Sequence, residues 1–438
     1  MKYKNLQSLV VGFATLCLMA IAVSPAQAAL QVDITKSSDS AIPIAIVPFG
    51  SSQGQQMPVD VAQIASNDLA STGLFKIFPR GNMLAKPSSP DQVNYDNWRT
   101  QHVDNLVVGS ASPNGQGGYK ITFNLLDAAQ GQSVASYQLN AGPNQLRQAG
   151  HTIANLLYQR FTGKKGYFLS RIAYVTVTGS SADKRQFRLV VSDYDGSHPS
   201  TVYSSQDPIM SPAWSPDGKK LAYVAFNVYK GVSSVRVQDL ATGKVRTIAS
   251  GSGVNGAPAW SPDGNRIALT KSQNGDSNIY VYNLSTGQMQ QLTHSSSIDT
   301  EAAWSPDGQK IAFTSDRGGK PQIYEMSSHG GQVQRLTYDG QSNQRPDFSP
   351  DGKLLAMVQQ SANGFRIAVM NLANNNVRVV SDGPLDDSPA FAPNGQAILY
   401  ATQGSSNSLA TVSVDGKAKS TLSQAGEVRE PAWGPLGY

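Results

Sequence analysis

The sequence predicts an α+β N-terminal domain followed by an all-β, six-bladed β-propeller. Three observations carry that reading. A short aromatic segment recurs six times at intervals in the low forties, the period of a four-stranded blade. The chain ahead of it alternates strand-like and helix-like patterns without repeating. The two ends of the array are complementary fragments of one unit.

Residues 1–28 read as a secretory leader. Lys2 and Lys4 form a positive start, Leu9 to Val23 is uncharged and apolar, and Ala26-Gln27-Ala28 supplies small residues for cleavage. The apolar run is shorter than the roughly 20 residues a membrane-spanning helix needs. Cys17, the single cysteine, lies inside that run, so the mature chain is expected to hold no disulfide and no cysteine metal site. Loss of Lys2 and Lys4 lowers the formal net charge from +5 to +3. With no block of like charge, nucleic acid is not an expected partner, and no later segment is apolar enough for direct membrane insertion.

Residues 29–165 are expected to form a small α/β domain with a mixed sheet. Leu30 to Ile34 alternates like a strand on an exposed terminus. It fits either an edge strand at home or a strand lent to a partner's sheet. Ile42 to Phe49 carries Pro43 and Pro48, which points to a short or edge strand. Pro58 to Thr72 reads as a helix stopped by Gly73. Leu106 to Val108 is a buried-type strand, and Tyr119 to Leu125 with Ala135 to Leu139 form a hairpin. Leu146, Ala149, Ile153, Leu157 and Phe161 give a second amphipathic helix ending at Gly163.

Residues 166–438 hold the repeats. Trp214, Trp260, Trp304, Phe348, Phe391 and Trp433 are spaced 46, 44, 44, 43 and 42 residues apart. Each unit reads as four strands, the aromatic segment first. Ser-Pro-Asp-Gly then suits a type I turn. Before Trp214, Arg171 to Gly196 supplies later strands without an aromatic one; after Trp433 the chain has a first strand alone. The C-terminal strand is therefore expected to pair with the first blade and close a ring of six, removing open sheet edges. The recurring aromatics are read as packing between blades, and the recurring Asp as a turn residue rather than a calcium ligand.

One enzyme motif matches as a string. Gly50-Ser51-Ser52-Gln53-Gly54 fits G-x-S-x-G between a strand and a helix. The domain is short for a hydrolase sheet, and only His102 and His151 are at hand as bases. His198, His294 and His329 lie in different blades without ligand spacing. A hydrolase using Ser52 is the alternative reading; a non-enzymatic binding module, without cofactor or metal, is the leading one.

The Pro-Ala-Trp-Ser-Pro-Asp-Gly-x-x-(Ile/Leu)-Ala unit resembles the WD40-like repeats of the TolB family, and those of some prolyl-oligopeptidase relatives. Arg171-Ile172-Ala173-Tyr174-Val175, Val191 to Gly196, Pro208 to Trp214, Asn255 to Pro258, Phe313 to Asp316 and Ala149-Gly150-His151-Thr152 are similar to the TolB family in particular. The resemblance spans the leader, the α/β domain and all six blades. It implies a periplasmic, monomeric, non-enzymatic protein that binds the lipoprotein Pal at the channel mouth and TolA through its N-terminal segment. Other outer-membrane lipoproteins or porins are implied as further partners. For Pal, the implied rim residues lie just before each first strand: Met210, Ser211, Asn255, Ala257, Thr300, Glu301, Asn343, Gln344, Asp387 and Ser388. Asp316 and Arg317, after a second strand, join them; Val254 stands where some family members carry histidine. For TolA, Leu30, Val32 and Ile34 are implied.

Overall fold

This computed structural model describes residues 30–33, 41–51, 57–179, 181, 184–273, 275–404, 407–422 and 426–437. The expected leader, Ile34 and Ser52 lie outside them.

The front domain is a mixed sheet in the order Phe75–Ile77, Ile42–Ile46, Asn105–Pro113, Tyr119–Asp127, Gln132–Ala141, with Gly50–Ser51 also against Asn105–Pro113. Ile42–Ile46 is short, as Pro43 suggested, but it is internal, pairing in parallel on both sides. Its run of buried Ile44, Ala45 and Ile46 explains the placement, because parallel strands are covered on both faces. Helices α1 (Val61–Ser71) and α3 (Leu146–Thr162) pack together on one face. Gly150 is where they touch: a Cβ there would lie 2.7 Å from Ile64 Cβ, so any larger residue would force the helices apart. Asp60 caps α1 by accepting from the Gln63 N–H at 2.9 Å. The opposite face is covered by α2 (Tyr95–Arg99), whose Trp98 packs against Ala45, Leu106 and Leu126.

The remaining strands group, among the described residues, into six antiparallel four-stranded units. The second unit is typical: Ile209–Trp214, Lys220–Asn227, Val232–Asp239 and Val245–Ser252 in sequence order. In the first unit the innermost strand is the chain's last, Glu427–Trp433, paired antiparallel with Arg171–Thr178. The inner strands neighbour one another in succession, and Glu427–Trp433 touches both Leu385–Phe391 and Ile209–Trp214.

The repeated residues do what their chemistry dictates. In the turn after Trp214, Gly218 N–H donates to Ser215 O at 2.9 Å, and Asp217 accepts from Ser215 Oγ and Lys219 N–H. Gly218 sits at φ +65° there, a region glycine enters without Cβ strain. The tryptophans lock neighbouring units: the indole N–H of Trp214 donates to Ala432 O, Trp260 to Ala213 O and Trp304 to Ala259 O, at 3.1–3.2 Å. Between units, large side chains such as Tyr223 and Phe313 are fully buried, each burial stabilising by about 1.5–3 kcal/mol.

The front domain docks on the turn end of the first and sixth units. Lys165 O accepts from Asn394 Nδ2, and Gly73 lies against Ala418. At the junction Arg147 pairs with Asp195, and His151 with Asp68 at 2.7 Å. The opposite end of the strands, where each inner strand begins, is left uncovered by it.

Candidate functional site at the mouth of the axial cavity

Each inner strand breaks register once, between Met210 and Ala213, Gly256 and Ala259, Thr300 and Ala303, Gln344 and Asp347, Asp387 and Ala390, and Arg429 and Ala432. Inside each break one non-glycine residue is left-handed: Ser211, Ala257, Glu301, Arg345, Ser388 and Glu430, at φ +46° to +55°. Such backbone costs roughly 1–2 kcal/mol per residue, and persists because the surrounding sheet over-determines it. These six residues line one open cavity of about 360 Å³, backed by the recurring aromatic side chains.

Charge gathers on one side of this cavity. Glu301 Oε2 accepts from Thr314 Oγ at 2.8 Å and from the Arg345 N–H at 3.1 Å. The Arg345 guanidinium lies 3.2 Å from both Glu301 and Asp387, and donates to Ser388 Oγ at 2.7 Å. Burial opposes its charge, but Asp387, Glu301 and Glu430 outweigh burial and hold its pKa above the usual value. Glu430, on the inner strand next to Ile209–Trp214, accepts from the Ser211 N–H at 2.5 Å. Deeper on the wall, Asp347 accepts from the Phe391 N–H at 2.7 Å, and burial pushes its carboxyl up to about 7. A side pocket of about 270 Å³ opens between Arg345 and the apolar Val358, Phe365 and Leu385.

The rim residues read from the sequence divide into groups. Ser211, Ala257, Glu301 and Ser388 meet on the cavity wall, and Gln344 and Asp387 line the side pocket. Asn255 and Asn343 are 1% and 0% exposed, so they are not rim surface. Their side-chain amides donate instead to Ser233 O and Gly251 O, and to Gln322 Oε1 and Asp339 O. Thr300 accepts from Thr270 Oγ, and Met210 is half-buried beside the bulge. Asp316 accepts from the Ile298 N–H, and Arg317 grips buried Asp299 at 2.8 and 2.9 Å. Most of these residues lie within the inner strands rather than before them, because the strands resume upstream of the bulge. Arg345, Glu430 and Asp347 were missed. Aligning the repeats column by column would have found them, since Arg345 and Glu430 occupy the column of Glu301, and Asp347 replaces the alanine of the other five units.

At the other proposed contact, Leu30–Asp33 adds an antiparallel strand to Lys419–Leu422, the outer edge of the sixth unit, from Leu30 opposite Leu422 to Asp33 opposite Lys419. At the domain junction, His151, Asp193 and Asp195 bring ligand-type atoms within 4.8 Å of one another. Asp195 is already paired with Arg147, and His151 with Asp68, which makes the cluster an ion-pair network between domains. His151 is buried at the domain junction, its Nε2 facing Asp195 at 3.9 Å, and Ser52, the nucleophile of the alternative hydrolase reading, lies outside the described residues.

An α/β domain joined to a propeller with its polar residues gathered at one end of an axial cavity defines a β-propeller protein of the TolB-repeat class. Residues 158–437 match the family model of the TolB beta propeller domain, and 30–134 that of the TolB amino-terminal domain. The Tol-Pal system protein TolB of Methylococcus capsulatus is 55% identical over 419 residues, covering 95% of this chain and 97% of that protein. That of Thioalkalivibrio sulfidiphilus is 52% identical, covering 99% and 98%. The crystal structure of TolB from Acinetobacter baumannii aligns with a TM-score of 0.84 at 39% identity, over 93% of this chain and all of that one. The chain belongs to the TolB family of Tol-Pal system proteins, and it is not an enzyme.

Proposed function

We propose that the protein is the periplasmic protein-binding component of a Tol-Pal system, exported by residues 1–28, with its domains meeting near residue 165. Its six units form a closed propeller. Support for closure comes from the pairing of the last strand with the first unit and the succession of inner-strand contacts. The cavity mouth binds the lipoprotein Pal, and the segment from Leu30 to Ile34 binds TolA. While held here, Pal cannot grip peptidoglycan; tension through TolA releases it where the envelope constricts, supporting outer-membrane integrity during division. The observation that carries this reading is the ring of left-handed residues at the end of the propeller away from the front domain. Rigid scaffolds commonly present binding groups on such exposed ends. For TolA, strand pairing by Leu30–Asp33 along a sheet edge supports a segment suited to strand addition.

A pull-down from envelope extract tests both arms. The wild-type chain is expected to recover Pal and TolA. Thr300→Val with Glu301→Lys should lose Pal alone, and deletion of residues 30–34 should lose TolA alone. Recovery of no outer-membrane lipoprotein by the wild type would sink the proposal.

A further inference from the structure

The charged side chains on the cavity wall are Glu301, Arg345, Asp347 and Glu430. Arg345 is neutralised by Glu301 and Asp387, each at 3.2 Å. That leaves two carboxylates over. Among the described residues neither Glu430 nor Asp347 is in an ion pair; Glu430 accepts from the N–H and hydroxyl of Ser211, and Asp347 from the Phe391 N–H. Glu430 acts on Arg345 only at longer range. The chain as a whole carries a formal charge of +5, so this excess of acid is local and opposite in sign.

The cavity also restricts what can enter. It offers a volume of about 360 Å³ between the inner strands. An extended tip or a single long side chain fits. Asp347 lies two residues beyond the left-handed Arg345 along the inner strand, roughly 6–7 Å deeper at strand rise. A lysine or arginine reaches that far while its backbone stays at the mouth, and of the long side chains these two carry the charge that the carboxylates favour. Outside, Val358, Phe365 and Leu385 offer an apolar seat for the flanking residues.

We propose that the cavity mouth receives a loop tip of its protein partner bearing a lysine or arginine, whose cation is taken by Glu430 and Asp347. The inference rests on the reading that this end docks the lipoprotein, and it names the chemistry of the contact. Asp347 is the specificity element, since the other five units carry alanine in its place. Because burial holds its carboxyl near 7 in the empty cavity, an entering cation favours the ionised form, and binding tightens as pH rises through that value.

The test is calorimetric titration of the mature chain with the soluble Pal ectodomain. Asp347→Ala and Glu430→Gln are each expected to weaken binding about tenfold or more. Wild-type affinity is expected to rise several-fold from pH 6 to pH 8, and Asp347→Ala to lose that dependence. An ectodomain that binds both variants as tightly as the wild type, with the same pH profile, overturns the proposal. If the ectodomain fails to bind the wild type, the docking reading fails, and tetralysine then tests the cavity by itself. It should lower the Asp347 titration midpoint seen by carboxyl NMR. A midpoint moved by calcium chloride but not by tetralysine, or by neither, overturns the cation-tip assignment.

Discussion

Asp347 occupies a column that alanine fills in the other five units, and the exchange changes stability as well as recognition. Its carboxyl is raised from 3.8 to about 7 by burial, so the folded state holds the proton more tightly than the unfolded one. Stability is therefore lost as pH climbs from about 4 to 7, and the loss is complete above that. Asp347→Ala should match the wild type at pH 4 and exceed it on the order of 2 kcal/mol at pH 8, net of the bond from Phe391. Urea melts at both pH values check this; an alanine variant that is less stable at pH 8 contradicts it. The same substitution is predicted to weaken partner binding, which separates function from fold. At the left-handed positions the argument is steric. Ala257, at φ +46°, should gain about 0.5–1 kcal/mol on substitution by glycine and lose at least as much on substitution by valine, measured the same way. What was legible at this scale was local. Ser-Pro-Asp-Gly announces its turn because the bonds of its Ser and Asp side chains are to residues within five positions. Asn343 gave no such warning, because its partners Gln322 and Asp339 include one on another strand.

Strands were legible as patterns and less so as paired objects. Alternation located the hairpin of Tyr119–Asp127 with Gln132–Ala141, and helix periodicity located α1 and α3. The bulge in each inner strand was invisible, because a left-handed serine, glutamate or arginine carries no propensity signal. The internal place of Ile42–Ile46 depended on partners 33 and 61 residues away. The last strand shows what such pairing is worth. Glu427–Trp433 pairs along Arg171–Thr178, and Trp433 donates to Ser170 Oγ at 2.8 Å. A chain ending at Gly426 would expose two inter-unit faces and an unpaired edge. It is predicted to lose its cooperative melt and to self-associate, as seen by light scattering. A soluble, monomeric truncation with an unchanged melting temperature would contradict this. The N-terminal strand differs. Leu30–Asp33 adds to an outer edge, and its deletion should lower stability by no more than about 1 kcal/mol.

Two domains behave as one molecule only if their junction holds, and that junction is a buried charge network. Asp68 comes from α1, Arg147 and His151 from α3, and Tyr194 and Asp195 from the first propeller unit. Asp68 accepts from His151 Nδ1 at 2.7 Å and from the Tyr194 hydroxyl at 2.5 Å. His151 Nε2 faces Asp195 Oδ2 at 3.9 Å and has no hydrogen-bond partner. A neutral ring donating from Nδ1 would turn its Nε2 lone pair toward that carboxylate. A proton on Nε2 removes the repulsion and balances two buried acids with two cations. Burial opposes this charge, but Asp68 and then Asp195 outweigh it and raise the pKa of His151 above 6.5. The sign follows: the folded state binds this proton more tightly. Its stabilisation is complete below about 6.5 and is lost as pH rises through the raised value. His151→Gln should destabilise the junction by about 3–5 kcal/mol at pH 6, and by less at pH 9. Calorimetry should show one transition at pH 6 separating toward two at pH 9 in the wild type, and two at both in the variant. The family resemblance drew attention to Ala149-Gly150-His151, but no sequence pattern ties it to Asp195, because the pairing exists only once helix and propeller have docked. A wild-type melt that stays single from pH 6 to 9, with a His151→Gln defect that ignores pH, would mean that the ring is neutral and merely packed.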